Sequence, residues 1–110
     1  MEREAESTVE SHLVKEVKKL GGVAYKFTSP SRRSVPDRLV VIPLLPCRFV
    51  ELKATGKRPT PAQEREIRRL RKLKQDVFVV DHRAKVDLLI DIWKEELDEL
   101  RSNIRPDTRD

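Results

Sequence analysis

The sequence predicts a single α/β domain, a mixed sheet with helices packed on its faces in two or three layers. Three observations predict it. Apolar residues recur at helical and then at strand spacing, in the order α, β, β, β, α, β, α. The strand-type runs are short and bounded by glycine, proline and polar residues. The chain has 110 residues, enough for one core and too few for two.

A first helix is expected from Ser7 to Leu20, because Val9, Leu13, Val17 and Leu20 form one stripe with Val14 beside it, and Gly21-Gly22 supplies a stop. Val23 to Thr28 has β-type composition, and Ser29-Pro-Ser-Arg-Arg-Ser34 reads as a basic, polar loop. Arg38 to Ile42 and Cys47 to Lys53 flank Pro43-Leu-Leu-Pro46, which predicts a hairpin whose turn is closed by prolines. After a loop from Ala54 to Pro59, Thr60 is placed to cap a helix that starts at Pro61 and runs to about Lys74. Val77 to Val80 is a short buried-type strand. A last helix carries Val86, Leu89, Ile90, Trp93, Leu97 and Leu100 on one side. The domain is expected to span residues 1–100, with 101–110 a polar, flexible tail.

Charge narrows the class of partner. Lys and Arg number 24 against 19 Asp and Glu, for a net charge of +5 and a pI near 9.6, which favours a polyanion. From Lys57 to Lys74 the only acids are Glu64 and Glu66, and Arg65, Arg68, Arg69 and Lys72 share the outer face of the helix, with Lys57 and Arg58 before it. Such a one-sided cluster suits a phosphate backbone. Lys26, Arg32, Arg33 and Arg38 would lie closer to the acids described below and clamp a substrate strand. The last helix, with Asp87, Asp91, Glu95, Glu96, Asp98 and Glu99, should repel nucleic acid and suits contact with another subunit.

Other residue types exclude rather than assign. The single cysteine, Cys47, rules out an internal disulfide and a multi-thiolate zinc site, and reads as a small strand residue in a reducing compartment. No apolar run approaches the roughly 18 residues needed to cross a bilayer, so a cytoplasmic protein is expected. His12 and His82 lack a ligand-spaced partner and read as surface histidines. Tyr25, Phe27, Phe49 and Phe78 read as strand core.

The chemistry concentrates on two apolar strands that carry charges. At the strand period of two, Glu51 and Lys53 share a face with Phe49 while Val50 and Leu52 take the other. Taken alone, Glu51-Leu52-Lys53 also fits a surface pair at a strand end. Asp37 follows a proline and opens the first hairpin strand, so a tight hairpin would bring it towards Glu51. Two carboxylates that close repel unless a proton or cation lies between them. In helix one, Glu10 falls within the apolar stripe and should face the sheet, with Glu6 its competitor on a similar meridian. Glu10 fits equally a capping box with Ser7. In helix two Gln63 shares a face with Ile67, Leu70 and Lys74, and fits a capping box with Thr60.

Taken together these residues resemble the PD-(D/E)xK nuclease superfamily, and within it the VRR-NUC type. The resemblance rests on Glu10, Gly21-Gly22, Val35-Pro36-Asp37-Arg38-Leu39, Phe49-Val50-Glu51-Leu52-Lys53, and Gln63 after Thr60-Pro61, in that order. It implies a restriction-endonuclease-like αβββαβ core with a mixed sheet flanked by helices, plus a C-terminal helix. It also implies a DNA nuclease dependent on Mg²⁺ or Mn²⁺. Glu10, Asp37, Glu51 and the Leu52 carbonyl would bind the ion, Lys53 would activate the attacking water, and Gln63 would support the site. Small stand-alone members are similar to junction-resolving enzymes: homodimers from bacteria or their viruses that act on branched DNA, four-way junctions or flaps, in the bacterial cytoplasm. The chain departs from the pattern at Ser34, where glycine is frequent, and at Pro43-Leu-Leu-Pro46, which replaces a polar turn. Leu44 and Leu45 suit an interface there. Two further readings are a basic DNA-binding module without catalysis, and an accessory protein that docks through its last helix and Leu44-Leu45.

Overall fold

The computed structural model describes residues 2–104. Its elements are α1 (Glu6–Lys19), β1 (Val23–Lys26), β2 (Arg38–Val41), β3 (Arg48–Leu52), α2 (Pro61–Lys72), β4 (Val77–Val80) and α3 (Arg83–Asn103). The sheet order is β1-β2-β3-β4, with the first two pairings antiparallel and β3–β4 parallel. This is the mixed sheet flanked by helices that the sequence predicts, in its three-layer form.

Side-chain alternation sorts the layers. Ala24, Val40, Val50, Leu52 and Val80 point to one face and pack with Val9, Leu13 and Val17 of α1 and Val86, Ile90, Trp93 and Leu97 of α3. Burying these side chains is worth roughly 1.5–3 kcal/mol each for the larger ones. On the opposite face α2 covers β4 and buries Ile67. That layer is partial, and Val23 and Tyr25 of β1 are 47% and 56% exposed. Tyr25 is therefore not core. Leu100, placed on the buried stripe from sequence, is 40% exposed, because the apolar side of α3 ends at Leu97.

The ends of α1 follow local rules only in part. No side chain caps its start, which begins one residue early at Glu6, so the Ser7–Glu10 capping box does not form. At its end Gly21 adopts φ +84°, its N–H bonding the Lys18 carbonyl and that of Gly22 the Val17 carbonyl. A Cβ on Gly22 would lie 2.4 Å from the Val41 carbonyl oxygen, so glycine is what lets α1 hand over directly to the sheet. The turn from Ile42 to Leu45 closes with Leu45 N–H on the Ile42 carbonyl and puts Leu44 at φ +69°. Leu45 packs on the core and only Leu44 faces outward, 56% exposed. Cys47 is exposed and precedes β3 rather than lying in it. Helix α3 continues through 101–103, and the remainder of the expected tail, 105–110, lies outside the described residues. No helix among the described residues is long and apolar enough to cross a membrane.

Candidate active site

The hairpin register builds the site. Arg38 stands opposite Val50, so one step further Asp37 comes opposite Glu51. Pro36 is fully buried and fixes the approach to Asp37. The Asp37 carbonyl accepts the Phe27 N–H at 2.8 Å, prolonging the β1–β2 pairing, and its carboxylate Oδ2 accepts the Leu52 N–H at 2.8 Å.

Glu51 lies beside it on the α2 side of the sheet and is 1% exposed. Neither of its carboxylate oxygens has a hydrogen-bond partner. The Lys53 ammonium is 3.6 Å away, an ion pair but too far for a hydrogen bond. Burial, then the Asp37 carboxylate, push the Glu51 pKa up to about 8, against the pull of Lys53. A buried acid with two unsatisfied oxygens is costly on its own and natural as a ligand. The donor set fits a hard divalent cation: Asp37 and Glu51 offer carboxylate oxygens, the chemistry that Mg²⁺ and Mn²⁺ prefer.

The two candidate glutamates of α1 separate. Glu10 is half-buried against the sheet, where its carboxylate accepts from Arg38 Nε at 3.1 Å and pairs with Nη2 at 3.1 Å. Arg38 also donates to the Ala24 carbonyl at 2.9 Å. Glu6 is the acid that feels the site: partial burial raises its pKa, Asp37 raises it further, and Lys53 opposes both.

No family model matches the chain. Over 76 residues it is 57% identical to "Putative nuclease p44" of Acyrthosiphon pisum secondary endosymbiont phage 1, an alignment covering 69% of this chain and 82% of that protein. A solved structure described as a VRR_NUC domain superposes with a TM-score of 0.74 and 37% identity, covering 78% of this chain and 94% of the other. The chain belongs to the VRR-NUC family of nucleases. Its restriction-endonuclease-like α/β fold is the one that this VRR-NUC domain shares.

Within the VRR-NUC frame, Gln63 is occupied by helix capping. Its backbone N–H donates to Thr60 Oγ1 at 3.2 Å and its side-chain oxygen accepts from the Thr60 N–H at 2.8 Å. Leu52 turns its side chain into the core and gives its N–H to Asp37. Among the described residues, Arg65, Arg68, Arg69 and Lys72 form no ion pair and line one shallow groove with Leu73, and Lys57 and Arg58 are exposed and also form none. The loop cations divide: Lys26 and Arg33 are exposed, Arg32 pairs with Glu66 at 3.4 Å, and Arg38 is held by Glu10. Arg32 and Arg38 are thus ion-paired here, with the Arg32 side chain still 46% exposed.

The sequence reading of this VRR-NUC chain missed Arg48 and Glu4, counted Glu66 only as an acid among cations, and took His82 for a surface residue. Glu66 is buried on α2 and receives Arg32. Arg48 is buried on the α3 side, paired to Glu96 and 5.5 Å over the Trp93 ring, which compensates a cation that alternation alone would have placed inside. His82 is no surface residue: its Nδ1 accepts the Ala84 N–H at 3.0 Å and caps α3. Glu4 lies 6% exposed against Arg83. His12 also gains partners that spacing could not reveal, since its Nε2 lies 2.6 Å from Asp87 of α3, with Glu16 close by.

Proposed function

We propose that the protein is a divalent-metal-dependent deoxyribonuclease that hydrolyses phosphodiester bonds in branched DNA, four-way junctions or flaps, as a homodimer using Mg²⁺ or Mn²⁺. The observation that carries this reading is Glu51, a wholly buried carboxylate with no hydrogen-bond partner, beside Asp37 and Lys53. Family membership and the basic face of α2 support it.

Asp37 and Glu51 would hold the ion, with Glu6 or Glu10 and the Leu52 carbonyl as further donors. The ion supplies positive charge against the phosphoryl oxygens and acidifies water at the site. The chain's own residues do the rest. Lys53, 14% exposed and already drawn to Glu51, sets an ammonium where the phosphate would sit, a point charge that stabilises the negative charge growing there. The Leu52 N–H fixes the Asp37 carboxylate, so that one acid is oriented before substrate arrives. Apolar packing of Val50 and Leu52 holds Glu51 on a rigid strand, with Asp37 tied to the same strand through the Leu52 N–H. Arg65, Arg68, Arg69 and Lys72, with Lys57 and Arg58, would follow the DNA backbone, whereas the acidic α3 stays clear of it.

Labelled linear, flap and four-way-junction DNA incubated with Mg²⁺, Mn²⁺ or EDTA tests the proposal. Metal-dependent cutting, strongest on branched DNA and lost in Glu51→Ala, is the expected result. DNA bound but never cut on any substrate would sink it in favour of a binding module without catalysis.

A further inference from the structure

Residues 2–5 precede α1 and lie against two distant segments, the loop after Lys53 and the turn between β4 and α3. Glu4 N–H donates to Thr55 Oγ1 at 2.8 Å, and Thr55 N–H donates back to the Glu4 carbonyl at 3.0 Å. The Thr55 hydroxyl in turn donates to the Asp81 carbonyl at 2.8 Å, so it both accepts and donates. Beside it Gly56 N–H is held by Asp81 Oδ2 at 2.9 Å. The Glu4 carboxylate anchors the other end, accepting from Arg83 N–H at 2.8 Å and Arg83 Nε at 2.5 Å at the start of α3. His82 completes the cluster, its Nε2 3.1 Å from the Glu2 carbonyl.

We infer that Glu4 and Thr55 form a clamp that positions Lys53 against Glu6 and Asp37. Thr55 stands two residues beyond Lys53 and Glu4 two residues before Glu6, so their paired bonds fix the spacing of the two site-bearing segments directly. Strand pairing stops here: the Lys53 N–H makes the last bond to β4, on the Val80 carbonyl at 3.0 Å. Past that point the loop 54–59 has the clamp in place of a sheet. Thr55 is a positioning residue in this account, acting through Lys53, and the inference rests on the nuclease reading above.

The test compares wild type, Thr55→Val, Thr55→Ser and Glu4→Gln. Thr55→Val keeps the shape and removes both hydroxyl bonds, Thr55→Ser keeps them, and Glu4→Gln weakens only the anchor. Cleavage of labelled DNA in Mg²⁺ is expected to show kcat at least tenfold lower in Thr55→Val with KM within twofold. Amide hydrogen exchange in EDTA is expected to quicken over residues 53–58 in the same variant. Thr55→Ser restores both quantities, and Glu4→Gln shifts both in the Thr55→Val direction by less. Wild-type kcat in Thr55→Val overturns the inference, as does a loss carried by KM alone or a failure of Thr55→Ser to rescue. Should Thr55→Val not fold, Glu4→Gln decides it, and unchanged kcat and exchange there overturn the clamp. Should wild type cut no DNA, the nuclease reading fails separately, and exchange alone then decides whether Thr55 holds Lys53, unaltered rates in Thr55→Val overturning it.

Discussion

Glu51 is a carboxylate whose proton is held by its surroundings. Its folded pKa of about 8 lies above the ordinary glutamate value of 4.5, so the metal-free folded state binds the proton more tightly than the unfolded chain does. The stability this contributes is complete below about pH 4.5 and is lost as pH rises through 8. Glu51→Gln, which cannot ionise, is therefore expected to melt higher than wild type in EDTA at pH 8.5, by roughly 4 °C or more, and to converge with it near pH 4.5. Identical melting curves at both pH values would contradict the burial argument. A second outcome separates the α1 glutamates: by calorimetry, Glu6→Gln is expected to weaken Mn²⁺ binding more than Glu10→Gln, because Glu10 is already paired with Arg38. The reverse order would make Glu10 the third acid. Much of this was legible in the sequence. Strand alternation placed Glu51 and Lys53 on one face, and the hairpin placed Asp37 across from Glu51. The Arg38–Glu10 pair was within reach of the same rule, since Arg38 shares the parity of Val40 and so faces α1.

Among the elements, the ends and turns hold what periodicity misses. The positions of all seven elements follow from apolar spacing, glycine stops and the Thr60-Pro61 start, with boundaries shifted by at most two residues except at α3, which runs on to Asn103. The Gln63 capping box forms because Thr60 takes the N-cap position of α2, whereas α1 starts one residue before Ser7, with Ala5 at its N-cap, so Ser7 cannot cap it. Contacts such as Glu4 with Arg83 span most of the chain and leave no local signature. Ser34 has φ +66°, which gives a backbone reason for glycine at that place. Leu44 likewise follows a proline at the third position of its turn with φ +69°, where glycine or asparagine is usual. Leu44→Gly is expected to raise stability in urea unfolding by about 1 kcal/mol. By contrast Gly22→Ala, whose Cβ would meet the Val41 carbonyl at 2.4 Å, should lower it by roughly 1–3 kcal/mol.

At the scale of the molecule, charge is divided between opposite faces. The uncompensated cations of α2 lie on one side of the sheet and the acids Asp91, Glu95, Asp98 and Glu99 on the other, around α3. If α2 tracks a phosphate backbone, DNA affinity falls steeply with salt, and each cation removed flattens the dependence. Arg68→Ala and Arg69→Ala together are expected to reduce the log–log salt slope by roughly 1 to 2. Equal substitution of Lys94, on the acidic helix, should leave it unchanged. Fluorescence anisotropy across a salt series in EDTA reads both.

Folding order follows from the topology. Strands β1, β2 and β3 pair between chain neighbours, whereas β4 joins only after the chain has crossed over through α2. Local pairings close sooner because less chain entropy is lost in making them. The hairpin is thus expected to be largely formed at the folding barrier, and the two carboxylates at its end meet there, before the native state is reached. In metal-free buffer between pH 5 and pH 8, Glu51 is ionised in the unfolded chain and must take up a proton as it is buried beside Asp37, so rising pH should slow refolding and leave the unfolding rate almost unchanged. Stopped-flow measurements on wild type and Glu51→Gln would show the mutant's refolding rate flat across that range.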